Sequence, residues 1–195
     1  MTAAVRKEAI LAAAIEEFSK TGYERTRVAD IATRLKVTEP VIFQQFGSKA
    51  ELFAAVVDRA SKELSAHVET IAGQTDDPLR ALAQILSPGH LERLHSKGGL
   101  GVVFADATRR PARDPIRRAA ERGLARVAMA VAGFMRSGQA AGTVRRDVDA
   151  IELAWLALSQ IHAWSFRRSI NRVQAVGLER EVLAGVIRLM APSAR

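Results

Sequence analysis

The chain has 195 residues, 48% of them apolar and 26% charged, no cysteine, and a formal net charge of +8. These figures fit one large or two small folded domains, exclude a disulfide frame and thiol chemistry, and suit a polyanionic partner. No apolar run reaches the roughly 18 residues of a membrane span, and no signal-peptide pattern opens the chain, so the expectation is a cytoplasmic protein without a membrane partner.

Few aromatics and abundant alanine favour helix over sheet. Residues 5–20 form an amphipathic helix with Ile10, Leu11, Ala14 and Phe18 inward, closed by Gly22. Val28, Ile31, Ala32 and Leu35 share one face of a second helix, and Lys36-Val37 interrupts it. Thr38 then stands as an N-cap with Pro40 in the first turn, and Val41, Ile42 and Phe46 continue a third helix. Two short helices joined this tightly form a helix-turn-helix pattern, the second helix offered to a major groove.

Ser48 caps a long helix over 49–72, with Leu52, Phe53, Val56 and Val57 inside, and Gly73 stops it. Asp77-Pro78 starts a helix to about 86, aspartate as cap and proline at the first helical position. Pro88-Gly89 breaks that helix before a short segment carrying Leu91, Leu94 and His95, and Gly98-Gly99-Leu100-Gly101 reads as flexible. Another helix runs near 102–110, stopped by Arg110-Pro111. Asp114-Pro115 opens a long helix to Ala141, with Val127, Val131, Phe134 and Met135 inside, and Gly142 ends it. Asp149 with Glu152 starts the next, to about Arg168, and the last runs over 178–190. The expected fold is all-α: a three-helix head at 1–48, then a helical bundle over 49–195 entered through the connecting helix 49–72.

Phe18, Gly22-Tyr23, Thr26, Ile31-Ala32, Val37-Thr38, Phe46, Ser48-Lys49 and Leu52 fall in an order and spacing that resembles the N-terminal domain of the TetR family of transcriptional regulators, over residues 8–58. Lys36 stands where that family usually has glycine, Arg27 where a second capping threonine is common, and Phe43 where tyrosine is frequent. The resemblance implies a dimeric, ligand-responsive regulator, most simply a repressor, released from a palindromic double-stranded DNA operator by a small molecule. The alternative is a DNA-binding activator or architectural protein without a ligand. No catalytic motif, phosphate loop or dinucleotide fingerprint is present, so neither an enzyme nor a cofactor is expected.

The expected DNA contacts are Thr26, Arg27, Thr38, Glu39, Pro40, Val41, Phe43, Gln44, Gln45 and Lys49. Glutamine can pair with adenine, and an apolar side chain can touch a thymine methyl. Lys49, in a first helical turn, suits a phosphate. Ile31, Ala32, Leu35, Ile42 and Phe46 are expected core. The argument is geometric rather than electrostatic, because residues 1–60 hold nine basic and eight acidic side chains. The arginines at 109, 110, 113, 117, 118, 122 and 126 are read first as a solvated face, with 117, 118 and 122 able to meet an acidic group at a pocket mouth.

Phe104, Met129, Phe134, Trp155 and His162 are the expected lining of a pocket for a small apolar or amphipathic effector. Ile151, Trp155, Leu158 and His162 form one stripe, and Ala154, Ala157, Ile161 and Trp164 another; Val182, Val186, Leu189 and Met190 make a face on the last helix. Two stripes on one helix imply a second chain, so a homodimer is expected through residues 150–168 and 178–190. Glu92 and His95 have the Glu-x-x-His spacing of carboxylate metal sites but lack a second such pair, and no metal is expected.

Overall fold

Capping chemistry written into the chain starts most of the helices. In the computed structural model, which describes residues 2–96, 99–170 and 175–192, Thr2 Oγ1 accepts from the Val5 N–H at 3.3 Å and opens α1 (Ala3–Thr21). α2 (Val28–Leu35) and α3 (Glu39–Phe46) follow. α4 (Lys49–Ala72) begins at a capping box in which Ser48 accepts from the Glu51 N–H at 3.1 Å and donates to the Glu51 carboxylate at 3.0 Å. Asp77 accepts from Leu79 and Arg80 N–H to start α5 (Pro78–Ile85). Asp114 and Asp149 serve α8 (Pro115–Ala141) and α9 (Ala150–Ile170) in the same way. α6 (Pro88–His95), α7 (Leu100–Thr108) and α10 (Ala175–Met190) complete an all-helical chain, with no strand among the described residues.

Three expectations needed correction. Pro88-Gly89 does not merely break a helix; Pro88 is the first residue of α6, where its missing N–H is tolerated. α7 begins at Leu100 and ends at Thr108, about two residues ahead of the expected 102–110, and α10 begins three residues before 178. Gly98 of the expected flexible stretch lies outside the described residues.

The described structure divides into two compact units. Unit 1 holds residues 1–62 and 94–124. Its core joins Ile10, Phe18, Ile31, Ile42, Leu52, Phe53 and Ile116, all essentially buried. Full burial of such side chains is worth about 1.5–3 kcal/mol each. Phe18 meets Phe53 edge-on at 4.7 Å between ring centroids, and Tyr23 lies 4.9 Å from Phe53. α8 crosses α4 closely within this unit: a Cβ at Gly123 would stand 2.8 Å from the Ser61 Cβ. Unit 2 holds residues 63–93 and 125–195, with Val68, Leu82, Met135, Ala154, Trp164 and Met190 buried. α10 packs on α5 and α9. A bidentate pair between Arg167 and the buried Glu179, at 2.8 and 2.7 Å, ties α9 to α10.

Candidate DNA-reading helix and effector cavities

α2 must turn through a tight corner before α3 can start. Lys36 makes that corner in the left-handed region, φ 55° and ψ 41°, and is the one non-glycine residue with positive φ among those described. Its N–H and that of Val37 bond back to Thr33 and Ala32 carbonyls, closing α2. The backbone here therefore has the shape that glycine takes most easily, although the residue is lysine.

α3 then turns its own stripe inward. Ile42 and Phe46 are buried, as are Ile31 and Ala32 of α2, while Leu35 is only half-buried. Thr38, Glu39, Pro40, Phe43 and Gln44 are exposed, and Val41 and Gln45 are half-buried. Thr38 occupies the N-cap position without a side-chain cap bond, so α3 starts on backbone geometry and the Pro40 ring. The outward face of the helix is thus polar around one exposed aromatic, Phe43.

Several expected DNA contacts have other partners. Thr26 is buried, and its hydroxyl donates to the Gly22 carbonyl at 2.7 Å, which turns it into the α1–α2 corner. Arg27 is exposed but forks onto Asp30 at 3.1 and 2.8 Å. That hydrogen bond holds the Asp30 carboxyl below its ordinary range and locally neutralises the arginine. Lys49 donates to the Glu24 carbonyl at 3.3 Å and lies 4.7 Å over the Tyr23 ring. Burial pushes its ammonium below the usual lysine value, with Glu24 opposing. Arg110 lies 5.0 Å from the same ring and pairs with Glu24 and Asp114, each at 2.9 Å. The Tyr23 N–H donates to Asp106 at 2.7 Å. No local sequence pattern announces this cluster, because Tyr23 and Asp106 are 83 positions apart.

The arginine run is only partly a free face. Arg110 is engaged as above, and Arg117 pairs with Glu121 and donates to the Thr108 carbonyl, while Arg113, Arg118 and Arg122 are exposed. Arg110, Arg113, Arg117, Arg118 and Arg122 belong to unit 1 and line neither of the two cavities described below.

The expected effector lining is not assembled. Met129 and Trp155 are 56% and 46% exposed, and His162 is exposed as well. Phe104 is buried in unit 1, and Phe134 lines a cavity in unit 2. That cavity, walled by Val68, Leu82, Val127, Phe134, Met135 and Ile161, is wholly apolar and holds only about 50 Å³. A second cleft in unit 2 is much larger, about 620 Å³, and is lined by His67, Arg80, Ser87, His90 and Arg93 among others. Ile85 stands in the wall of both. The helical periodicities of α4, α5 and α6 gave no warning that His67 and His90 would meet in one cleft.

Residues 10–56 match the family model described as bacterial regulatory proteins, tetR family. The N-terminal segment is a TetR-family helix-turn-helix domain. A transcriptional repressor of Mycobacterium tuberculosis is 35% identical over 88 residues, covering 42% of this chain and 47% of that protein. The transcriptional activator FasR of Mycolicibacterium smegmatis is 38% identical over 99 residues, covering 51% and 45%. The chain thus matches about half the length of these relatives. The fold of the whole chain is similar to that of the transcriptional regulator FadR from Bacillus subtilis in complex with stearoyl-CoA, with TM-score 0.71, 17% identity, and coverage of 92% of this chain and 97% of that one. The likeness of fold therefore extends beyond the matched segment, and the relatives' names are those of transcription regulators.

Proposed function

We propose that this chain is a one-component transcriptional repressor of the cytoplasm that binds a palindromic operator as a homodimer and leaves it when a small molecule occupies unit 2. In this reading residues 1–48 are the reading head, and 49–195 carry effector binding and dimerisation. The observation that supports DNA reading most directly is the outward face of α3, where Thr38, Glu39, Phe43 and Gln44 are exposed above a buried Ile42 and Phe46. Gln44 and Thr38 carry the hydrogen-bonding groups that base edges need, and Phe43 and Pro40 can pack on thymine methyls. Val41 and Gln45 flank this face. Arg27 and Lys49 reach phosphates after exchanging Asp30 and the Tyr23 ring for them.

Dimerisation is supported by the unit 2 surface. Trp155, Phe166, Leu178 and Leu189 of α9 and α10 are 46%, 66%, 48% and 57% exposed, an apolar set that a second chain would cover. A two-fold dimer then sets two α3 helices against successive major grooves. α4 supplies residues to both units, so its movement links effector to reading head. Each tenfold preference of the effector for the non-binding state weakens operator binding by about 1.4 kcal/mol.

The test is selection of bound duplexes from a random DNA pool, followed by a metabolite screen for release of the selected operator. A palindromic consensus released by a metabolite is the expected result. Binding without any releasing compound favours the second reading, an activator or architectural protein without a ligand, which the 50 Å³ size of the apolar cavity supports.

A further inference from the structure

The large cleft of unit 2 has the wrong chemistry for an apolar effector. Its volume of about 620 Å³ lies within the range of small-molecule sites. Four of its nine lining side chains are His67, Arg80, His90 and Arg93, and none is a carboxylate. Ser87, a hydroxyl donor, also lines it. Among the described residues Arg80 has no carboxylate partner, unlike Arg27, Arg34, Arg110 and Arg145 elsewhere in the chain. Burial first, then the positive neighbours Arg93 and His67, depress the His90 imidazole from its ordinary value. Arg80, Arg93 and the imidazole N–H groups of His67 and His90 thus bring positive charge and hydrogen-bond donors to one cleft, the chemistry an oxyanion needs.

We propose that this cleft is an oxyanion site, holding the carboxylate or phosphate head of an amphipathic effector with Arg80 as its principal cation. The tail follows from the neighbouring cavity. Ile85 is common to both walls, and the second cavity is lined by apolar side chains only. A short alkyl chain attached to the bound head meets that wall, and displacing Ile85 opens the small cavity to it. The proposal rests on the reading of unit 2 as the effector domain and names the effector's chemical class.

Isothermal titration of the full chain at low salt compares octanoate, octyl phosphate, 1-octanol and inorganic phosphate. Octanoate or octyl phosphate is expected to bind at least tenfold more tightly than octanol, and the tighter of the two names the head group. Arg80 is exposed, so Arg80→Gln should leave the melting temperature unchanged. It should cut the preference for anion over octanol below threefold without changing octanol binding. Equal binding of octanol and the anions overturns the oxyanion site while leaving an apolar effector possible. An unchanged preference in Arg80→Gln overturns it too, as does failure of all four probes to bind. Operator release in the metabolite screen judges the effector reading separately.

Discussion

Lys36 carries the clearest local conflict in the chain, a β-carbon in a left-handed corner at φ 55°. The strain of such a residue is about 1 kcal/mol, and glycine's extra chain entropy offsets about 0.5–1 kcal/mol of any relief. Lys36→Gly should therefore be neutral or stabilising by less than about 1 kcal/mol, read from thermal denaturation. A clear fall in melting temperature would mean that the lysine side chain holds the corner in some other way. Gln44 lies on the outward face of α3, clear of the buried Ile42 and Phe46. Gln44→Ala should cost about 1–3 kcal/mol on the selected operator and leave affinity for random duplex nearly unchanged. Equal losses on both would remove Gln44 as a base reader. Both residues were visible in the sequence, Lys36 as a departure from glycine and Gln44 as a polar position on an amphipathic helix. Thr26 was not: its inward turn depends on the carbonyl of Gly22 at the end of α1.

Between elements, the pair joining α9 and α10 stands out. Glu179 is 5% exposed and accepts two hydrogen bonds from Arg167. Removing one member of such a pair leaves a buried charge without compensation, at a cost of about 3–5 kcal/mol for full burial. Arg167 keeps 20% of its side-chain surface, so the lower end is expected for Arg167→Met. The double variant Arg167→Met with Glu179→Leu should recover most of that loss in urea denaturation. If the double variant is no better than the single, packing rather than charge pairing explains the defect. The sequence did not reveal this pair because Arg167 and Glu179 lie on different helices, twelve positions apart.

For the whole molecule, the placement of side chains changes which substitution tests the dimer. Ala157 and Val186 were stripe residues in the sequence, yet both are buried within unit 2, so an aspartate there would unfold the chain before it parted two chains. Trp155 and Leu189 are exposed apolar residues on the same helices. The wild-type chain should sediment as a dimer at micromolar concentration, and Trp155→Glu with Leu189→Glu should sediment as a folded monomer that no longer holds the palindromic operator. A wild-type monomer would end the two-half-site arrangement as well.

Helix type and order, most helix starts, and the turn that presents α3 were legible in the chain, because capping and apolar periodicity are local and act within four or five residues. Ser48 with Glu51, Asp77 with Pro78, and Asp149 each set a boundary that needs no distant partner. Periodicity shows that a face is apolar but not what covers it, so Trp155 and Ala157 looked alike until one was exposed and the other buried. Tertiary packing alone decided that Lys49 and Arg110 share the Tyr23 ring, that Asp106 receives the Tyr23 N–H, and that His67, Arg80, His90 and Arg93 face one cleft. Such groups meet only when helices far apart in sequence are brought together, and the free energy that brings them together lies in the apolar core rather than in the polar residues themselves.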